Sequence, residues 1–175
     1  MAVKSQAVLQ NANPSPPLYL LSWRACNFCM AFFFALAAYV QINDPDAGIW
    51  IVAYVIPAAL SLLVGFNPPI TDNFIWRSLS ELHMYMCSMV AILWGWWLHR
   101  ASKNNIFQEE EGREFLGLII IVIWTLLCRH SGKHLGGFRL SIAVLITVLP
   151  FITWLYYYIN KELRASWPDH CRNTI

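Results

Sequence analysis

Charged residues are scarce in this sequence. Only 13% of the 175 residues are Asp, Glu, Lys or Arg, and 58% belong to the hydrophobic set, whereas an ordinary soluble domain is about 25% charged and about 45 to 50% apolar. This balance excludes a typical soluble domain. The formal net charge of +2 is also too small to favour a nucleic-acid partner, so membrane lipids are the partners that the composition predicts.

The sequence also lacks the alternation of apolar and polar residues that is typical of membrane β-barrels. Its apolar residues instead form blocks of about 14 to 21 residues, close to the ~20 residues that a helix needs to cross ~30 Å of hydrocarbon. A helix in lipid satisfies its own backbone hydrogen bonds. The sequence therefore predicts an all-α fold, an integral membrane bundle of about five transmembrane helices.

We expect one helical membrane domain over residues 23–160. A flexible N-terminal tail over residues 1–22 and a short polar tail over residues 161–175 would flank it. The predicted helices cover residues 23–42, 45–66, 79–98, 113–130 and 138–160. Two alternatives stay open. The fourth block is short enough to be re-entrant, which would leave four crossings, and a small-residue pattern at 35–37 after the first apolar run is compatible with a cleaved signal peptide.

The loop between the first two predicted helices is rich in polar residues. Asp44 is a candidate helix cap, Pro45 suits a first helical position, and Asp46 would favour the positive end of the helix dipole. The alternative is an acidic mouth that binds a proton or a cation, with Gln41 and Asn43 supplying neutral oxygen ligands.

Glu81 and His83 lie in the first turns of the third predicted helix. Ser78 and Glu81 have the spacing of a capping box, and an interfacial position would hydrate both Glu81 and His83. A proton-handling or ligand-binding pair is the functional alternative, because histidine titrates near neutral pH. Being two residues apart, Glu81 and His83 are expected to face different sides of the helix.

Cys26 and Cys29 form a CxxC pattern in the first helix, and His130 and His134 lie four apart in a glycine-containing turn. Buried small side chains explain the cysteines, and contact with lipid headgroups explains the basic turn. The alternative is a zinc or redox site, since thiols and imidazoles are suitable ligands. With five crossings, one side of the membrane would hold Cys26, Cys29, Glu81, His83, Cys128, His130 and His134, and the other would hold Asp44, Asp46, His99, Glu109 to Glu111 and His170.

The positive charges leave the orientation of the chain open. For five crossings the cationic residues divide six against six between the two sides of the membrane, so the usual excess of Lys and Arg on the cytoplasmic side gives no answer.

Several short stretches carry a resemblance to a known family. They are WRACN (23–27), QINDPDA (41–47), LLVGFNP (62–68), EEEGRE (109–114), YINKE (158–162) and SWPDHC (166–171). From residue 23 onward, the chain resembles the transmembrane protein 220 family. The resemblance implies a multi-pass membrane protein and brings no activity, cofactor or catalytic residue with it. A cysteine at position 29 is not part of that family pattern, so the resemblance does not support a shared role for the Cys26 and Cys29 pair.

No recognised catalytic motif is present, which favours a protein that is not an enzyme. The sequence predicts a multi-pass membrane protein that acts through contacts with lipids or with a partner protein. A small carrier or channel for a proton, a cation or a small solute is the first alternative, with Asp44, Asp46, Glu81 and His83 as its working residues. A membrane oxidoreductase or metalloenzyme that uses Cys26, Cys29, His130 and His134 is the second.

Overall fold

The computed structural model describes residues 18–44, 46–101, 110–129 and 137–160. Within them the chain forms five α-helices: α1 (Leu18–Val40), α2 (Ala47–Phe66), α3 (Phe74–Ala101), α4 (Glu110–Arg129) and α5 (Gly137–Ile159). Short 3-10 helices at Gln41–Asn43 and Pro68–Asp72 follow α1 and α2. The described residues contain no strand. The predicted all-α class is therefore confirmed.

Three helical segments are long and apolar enough to cross a membrane by length and composition, namely Leu18–Val40, Ala47–Phe66 and Phe138–Tyr156. The other two helices, α3 and α4, contain 28 and 20 residues. Their sequences carry more charged and polar residues, among them Arg77 and Glu81 in α3 and the EEGRE stretch that opens α4. The described residues thus contain five long helices, three of which have the composition of membrane spans.

Two helices begin five residues before their predicted first residues. α1 begins at Leu18 and not at Trp23, so the last five residues of the expected tail are helical, and the Ser22 hydroxyl donates a hydrogen bond to the Leu18 carbonyl. α3 begins at Phe74 and not at Leu79, because Asn73 caps it. The Asn73 side-chain oxygen accepts a hydrogen bond from the backbone N–H of Ile75 at 2.8 Å, the usual geometry of an N-cap. The expected capping box of Ser78 with Glu81 is therefore wrong.

The first four helices alternate in direction. The start of α1 contacts the end of α2 through Arg24 and Gly65, and the start of α3 contacts the end of α4 through Glu81 and Arg129. α1 packs mainly on α2, and α3 packs mainly on α4, while α5 contacts α1 and α4. We call the end of the bundle that contains Arg24, Gly65, Glu81 and Arg129 the arginine end. The opposite end, where α2 begins and α3 ends, is the tryptophan end, after Trp50 and Trp94.

The core consists mainly of large apolar side chains. Those with less than 2% exposure include Trp23, Met30, Phe34, Val64, Ile121 and Trp124. Glycine allows two close approaches between helices. A Cβ at Gly65 would lie 2.9 Å from the Phe28 ring, and one at Gly117 would collide with the Tyr54 hydroxyl. Glycine at these two positions therefore sets how closely α1 and α4 approach α2.

Candidate functional site

His83 is buried between α3 and α2, with 7% of its surface exposed. Its Nε2 atom lies 3.1 Å from the carbonyl oxygen of Ala53 in α2, and 3.5 Å from the Cys87 sulfur. A carbonyl oxygen can only accept a hydrogen bond. The contact with Ala53 therefore requires that Nε2 carries the proton.

The Ala53 carbonyl is free to accept that hydrogen bond because of Pro57. In a regular helix it would accept the backbone N–H of residue 57, four positions later, but proline has no N–H. Pro57 lies within α2 and is buried. His83 thus satisfies the carbonyl that Pro57 leaves unpaired, which is how neighbouring helices make proline tolerable in membrane spans.

Glu81 lies two residues before His83 and faces another helix. Its carboxylate forms an ion pair with Arg129, the last residue of α4, and both side chains are partly exposed. The expectation that Glu81 and His83 face different sides of the helix is confirmed, since one contacts α4 and the other contacts α2. Arg129 also suits the negative end of the α4 dipole.

Arg24 is likewise a cationic side chain at the end of a helix, here α2. Its Nε donates a hydrogen bond to the Gly65 carbonyl at 2.8 Å, and its Nη2 donates to the Phe66 carbonyl at 3.3 Å. These carbonyls belong to the last turn of α2, whose acceptors have no partner within the helix. A guanidinium at this position supplies both the donors and the charge that the helix end favours.

A buried polar cluster joins α1, α2 and α4. Asn27 is fully buried, and its amide nitrogen donates to the Trp23 carbonyl at 2.9 Å, while its oxygen lies 3.4 Å from the Cys128 sulfur. The Trp124 indole donates to the Ser61 hydroxyl at 2.9 Å. The Trp23 and Trp124 rings are stacked, with centroids 5.9 Å apart. Sequence reasoning did not assign Ser61 or Trp124 to a site, although Ser61 is an isolated polar residue in an apolar run, which was an available signal.

The acidic residues of the first loop lie at the tryptophan end. Asp46 is the residue before α2, and its carboxylate accepts a hydrogen bond from the Trp50 indole at 2.8 Å in place of capping the backbone. The backbone carbonyl of Asp44 accepts the N–H of Ala47. The Asn43 side chain and Pro45 lie outside the described residues. The proposed carrier residues therefore divide, with Asp46 at one end of the bundle and Glu81 at the other.

The two cysteines of the CxxC pattern have different surroundings. Cys26 is buried and Cys29 is exposed, and both are free thiols. His130 and His134 lie outside the described residues. Among the residues that are described, no group of three or more His, Cys, Asp or Glu side chains has the arrangement of a metal site. Within the described residues, a thiol and an imidazole lie together at Cys87 and His83, a pair that the sequence analysis did not name.

Most of these contacts join two helices or complete a helix end. Arg24 contacts α2, Glu81 contacts α4, His83 contacts α2, and Trp124 contacts α2. Buried polar groups need such partners, because an unsatisfied donor or acceptor in an apolar interior is unfavourable. The chemistry that this arrangement supports best is hydrogen bonding between helices.

Comparison with known proteins gives a clear relationship. The family model described as "Transmembrane family 220, helix" matches residues 33–130. Transmembrane protein 220 of Xenopus laevis is 52% identical over 154 residues, which cover 87% of this chain and 84% of that protein. No solved structure shows a significant match to the chain. The matched region extends from α1 to the end of α4 and includes His83, Pro57, Glu81 and Arg129, and on these grounds the chain belongs to transmembrane family 220.

Proposed function

We propose that this protein crosses the membrane five times and acts, without catalysis, through contacts of its outer surface with lipids and partner proteins. The 28 residues of α3 would reach about 42 Å and the 20 residues of α4 about 30 Å by helical rise. Both lengths are sufficient for a hydrocarbon core of ~30 Å. The alternating direction of α1 to α4 agrees with successive crossings.

The observation that carries the proposal is that the polar side chains of the interior are used by the bundle itself. His83 satisfies the Ala53 carbonyl, Glu81 pairs with Arg129, and Asp46 accepts the Trp50 indole. A carrier site would present convergent polar groups to its substrate. Here the candidate groups are separated: His83 and Glu81 are engaged by neighbouring helices, and Asp46 is engaged by Trp50 in the helix that it precedes.

The outer surface, unlike the polar contacts between the helices, is largely apolar. On α3 a long series of apolar side chains is exposed: Ile75, Leu79, Leu82, Met86, Met89, Ile92 and Leu93. Exposed apolar area on this scale requires lipid or protein to cover it. We therefore expect this exposed face of α3 to be one of the surfaces through which the protein makes its contacts.

Two measurements test the proposal: the number of lipids that stay bound to the purified protein, and the flux of protons and cations that it supports in vesicles. The full-length chain would be purified in a mild detergent, and its retained lipids would be counted by native mass spectrometry beside an unrelated five-helix membrane protein. We expect lipids that stay bound to this chain through washes that strip the control. No excess of lipid over the control would contradict lipid contact as the function.

Transport would be measured on the same protein in sealed vesicles, with Asp46→Asn and Glu81→Gln as variants. We expect proton and cation fluxes equal to those of empty vesicles for the wild type and for both variants. A flux that the wild type supports and that either variant abolishes would overturn the assignment to lipid and partner contacts in favour of a carrier.

A further inference from the structure

Charged side chains at the arginine end form a layer across three helices. We call Arg24 of α1, Glu81 of α3 and Arg129 of α4 the arginine layer. Arg129 pairs with Glu81. The Asn27 oxygen of α1 lies 3.4 Å from the Cys128 sulfur of α4, and these two residues are within one turn of Arg24 and Arg129. The three charged residues therefore lie at similar depths in the bundle.

A second layer lies at the tryptophan end of the same helices. It consists of Tyr39 in α1, Trp96 in α3 and Glu114 in α4, which we call the tryptophan layer. Tyr39 and Trp96 are 62% and 64% exposed, and exposed Tyr and Trp side chains are enriched where a membrane meets water. Trp96 and Glu114 lie at similar depths, since their neighbours Gly95 and Phe115 are in contact.

The two layers have the same separation along each of the three helices. The residues that lie fifteen positions apart are Arg24 and Tyr39, Glu81 and Trp96, and Glu114 and Arg129. By helical rise this separation is about 22 Å, which is shorter than the ~30 Å hydrocarbon core of a typical bilayer. A tilted helix would cover still less of the membrane thickness.

A thicker placement also exists for α3. Phe74 and Ile75 are exposed at the start of this helix, beyond Glu81, and Phe74 lies about 33 Å from Trp96 by helical rise. That placement would put Glu81 and the exposed Arg77 inside the hydrocarbon, where charged side chains are unfavourable. In the thinner placement Phe74 and Ile75 lie in the headgroup region instead.

The sequence of α4 decides between the two placements. Its apolar stretch between Glu114 and Arg129 has fourteen residues, and the chain continues as EEGR on one side and as HSGKH on the other. The 20 residues of α4 include that charged first turn. A crossing of α4 therefore fits about 22 Å of hydrocarbon better than ~30 Å. The apolar α2 is longer, and a longer helix adapts to a thin bilayer by tilting.

We propose that the protein is matched to a bilayer thinner than average, and that its outer surface prefers phospholipids with short acyl chains. A helix whose apolar stretch is shorter than the hydrocarbon core thins the bilayer around it. Snorkelling, the other adjustment, is opposed here because Arg24 and Glu81 are already bound to neighbouring helices. This inference rests on the proposed function, since it names the acyl chains that the outer surface contacts.

Competition between lipids of different chain length tests the proposal. The full-length protein would be placed in bilayers of a brominated phosphatidylcholine, which quenches tryptophan fluorescence, and an unlabelled phosphatidylcholine that displaces it would restore the fluorescence. We expect myristoleoyl chains to displace the brominated lipid about twofold better than oleoyl chains, and the still longer erucoyl chains to displace it least. Equal displacement by the three lipids would overturn the proposal. A preference for erucoyl chains would overturn it in favour of the thicker placement.

Replacement of the ion pair tests what sets the short apolar length. Glu81→Met with Arg129→Met extends the apolar stretches of α3 and α4 and leaves neither charge unpaired, so the lipid that binds best should change from myristoleoyl to oleoyl. Asp72→Asn with Arg77→Gln is the matched control. It removes one charge of each sign outside the arginine layer and keeps polar side chains, so it should keep the wild-type preference.

A wild-type preference in both double variants would overturn the arginine layer as the boundary of the apolar stretch. The comparison of lipids on the wild type does not depend on the folding of either variant. Two outcomes separate this inference from the proposed function. Lipids that bind without a preference for chain length would overturn the match to a thin bilayer and leave lipid contact standing. An absence of quenching by the brominated lipid would overturn both.

Discussion

His83 lies on α3 and Pro57 lies on α2, and the two residues are connected through the backbone carbonyl of Ala53. Pro57 leaves the Ala53 carbonyl without its helical donor, and the buried His83 provides an N–H at 3.1 Å. Removal of one member of a buried hydrogen bond costs about 1–3 kcal/mol, because the remaining group is left without a partner. The consequence of losing His83 should therefore depend on residue 57.

We expect His83→Ala to lower the free energy of unfolding by about 1–3 kcal/mol in the wild-type background. In a Pro57→Ala background, residue 57 regains its N–H and bonds the Ala53 carbonyl within α2, so the same replacement should cost measurably less. Unfolding of the four proteins of this double-mutant cycle in mild detergent gives the coupling. Equal costs in the two backgrounds would show that His83 does not serve the carbonyl freed by Pro57.

A second prediction at the residue scale concerns Gly117. A methyl group there would collide with the Tyr54 hydroxyl, so Gly117→Ala should destabilise the protein by about 1–3 kcal/mol, the usual cost of overpacking. Tyr54→Phe removes the obstructing oxygen and should recover part of that loss. Gly48→Ala is the control, since its Cβ would meet nothing within 4 Å. Melting temperatures that fall equally for Gly48→Ala and Gly117→Ala would contradict close packing at Gly117.

These residue contacts were only partly predictable. The polar character of His83 and Glu81 within an apolar run identified them as candidates, and their two-residue spacing predicted different faces. The partner of His83 was harder to find, because it is a backbone atom 30 residues away whose availability depends on Pro57. A proline inside a predicted membrane helix leaves the carbonyl four residues before it without a helical donor. A polar residue on another helix is then a candidate for that donor.

At the scale of whole helices, polar contacts between helices lie at the helix ends. Arg24 in α1 completes the last turn of α2, and Arg129 ends α4 while it binds Glu81 of α3. Each contact ties two helices that are antiparallel. These arginines therefore lie at positions where they oppose sliding of one helix along its neighbour.

We expect Arg24→Met to destabilise the pairing of α1 with α2 by about 1–2 kcal/mol, because two carbonyls lose their donors while the apolar stem is retained. Arg24→Lys should recover part of the loss, since it keeps the charge but has no planar fork. Arg77→Met, on an exposed part of α3, is the matched control and should change stability by less than about 0.5 kcal/mol. Denaturant unfolding of the three variants measures the differences, and a loss of equal size at Arg24 and Arg77 would count against the helix-end role.

The start of α3 shows why element boundaries are difficult to predict. Asn73 and Ser78 are both good capping residues, and local sequence does not choose between them. The choice follows from packing, because the helix that begins at Phe74 buries Trp76 against α2 and lets its indole donate to the Leu60 carbonyl at 3.3 Å. A start at Leu79 would leave Trp76 outside the helix, so long-range packing decides a boundary that propensity leaves open.

At the scale of the whole molecule, the blocks of apolar residues were sufficient to predict five helices and the all-α class. The grouping of helices was not predictable, since close packing of α1 on α2 and of α3 on α4 depends on glycines at particular contact points, such as Gly65 and Gly95. The contact of Glu81 with Arg129 places the start of α3 beside the end of α4, where the sequence had grouped Glu81 with Cys128. The number of crossings on which that grouping was based stays a prediction.

Five crossings are the central claim, because the arginine end and the tryptophan end acquire their roles only if they face opposite sides of the membrane. The most direct measurement is protease protection of epitope tags placed before residue 1, after residue 175 and, in a third variant, between α3 and α4, in sealed vesicles of one orientation. Five crossings predict that the two terminal tags differ in protection and that the tag between α3 and α4 behaves like the tag after residue 175. Equal protection of the two terminal tags would mean an even number of crossings, and a tag between α3 and α4 that behaves like the tag before residue 1 would mean that α3 and α4 do not cross. Either result would contradict the account.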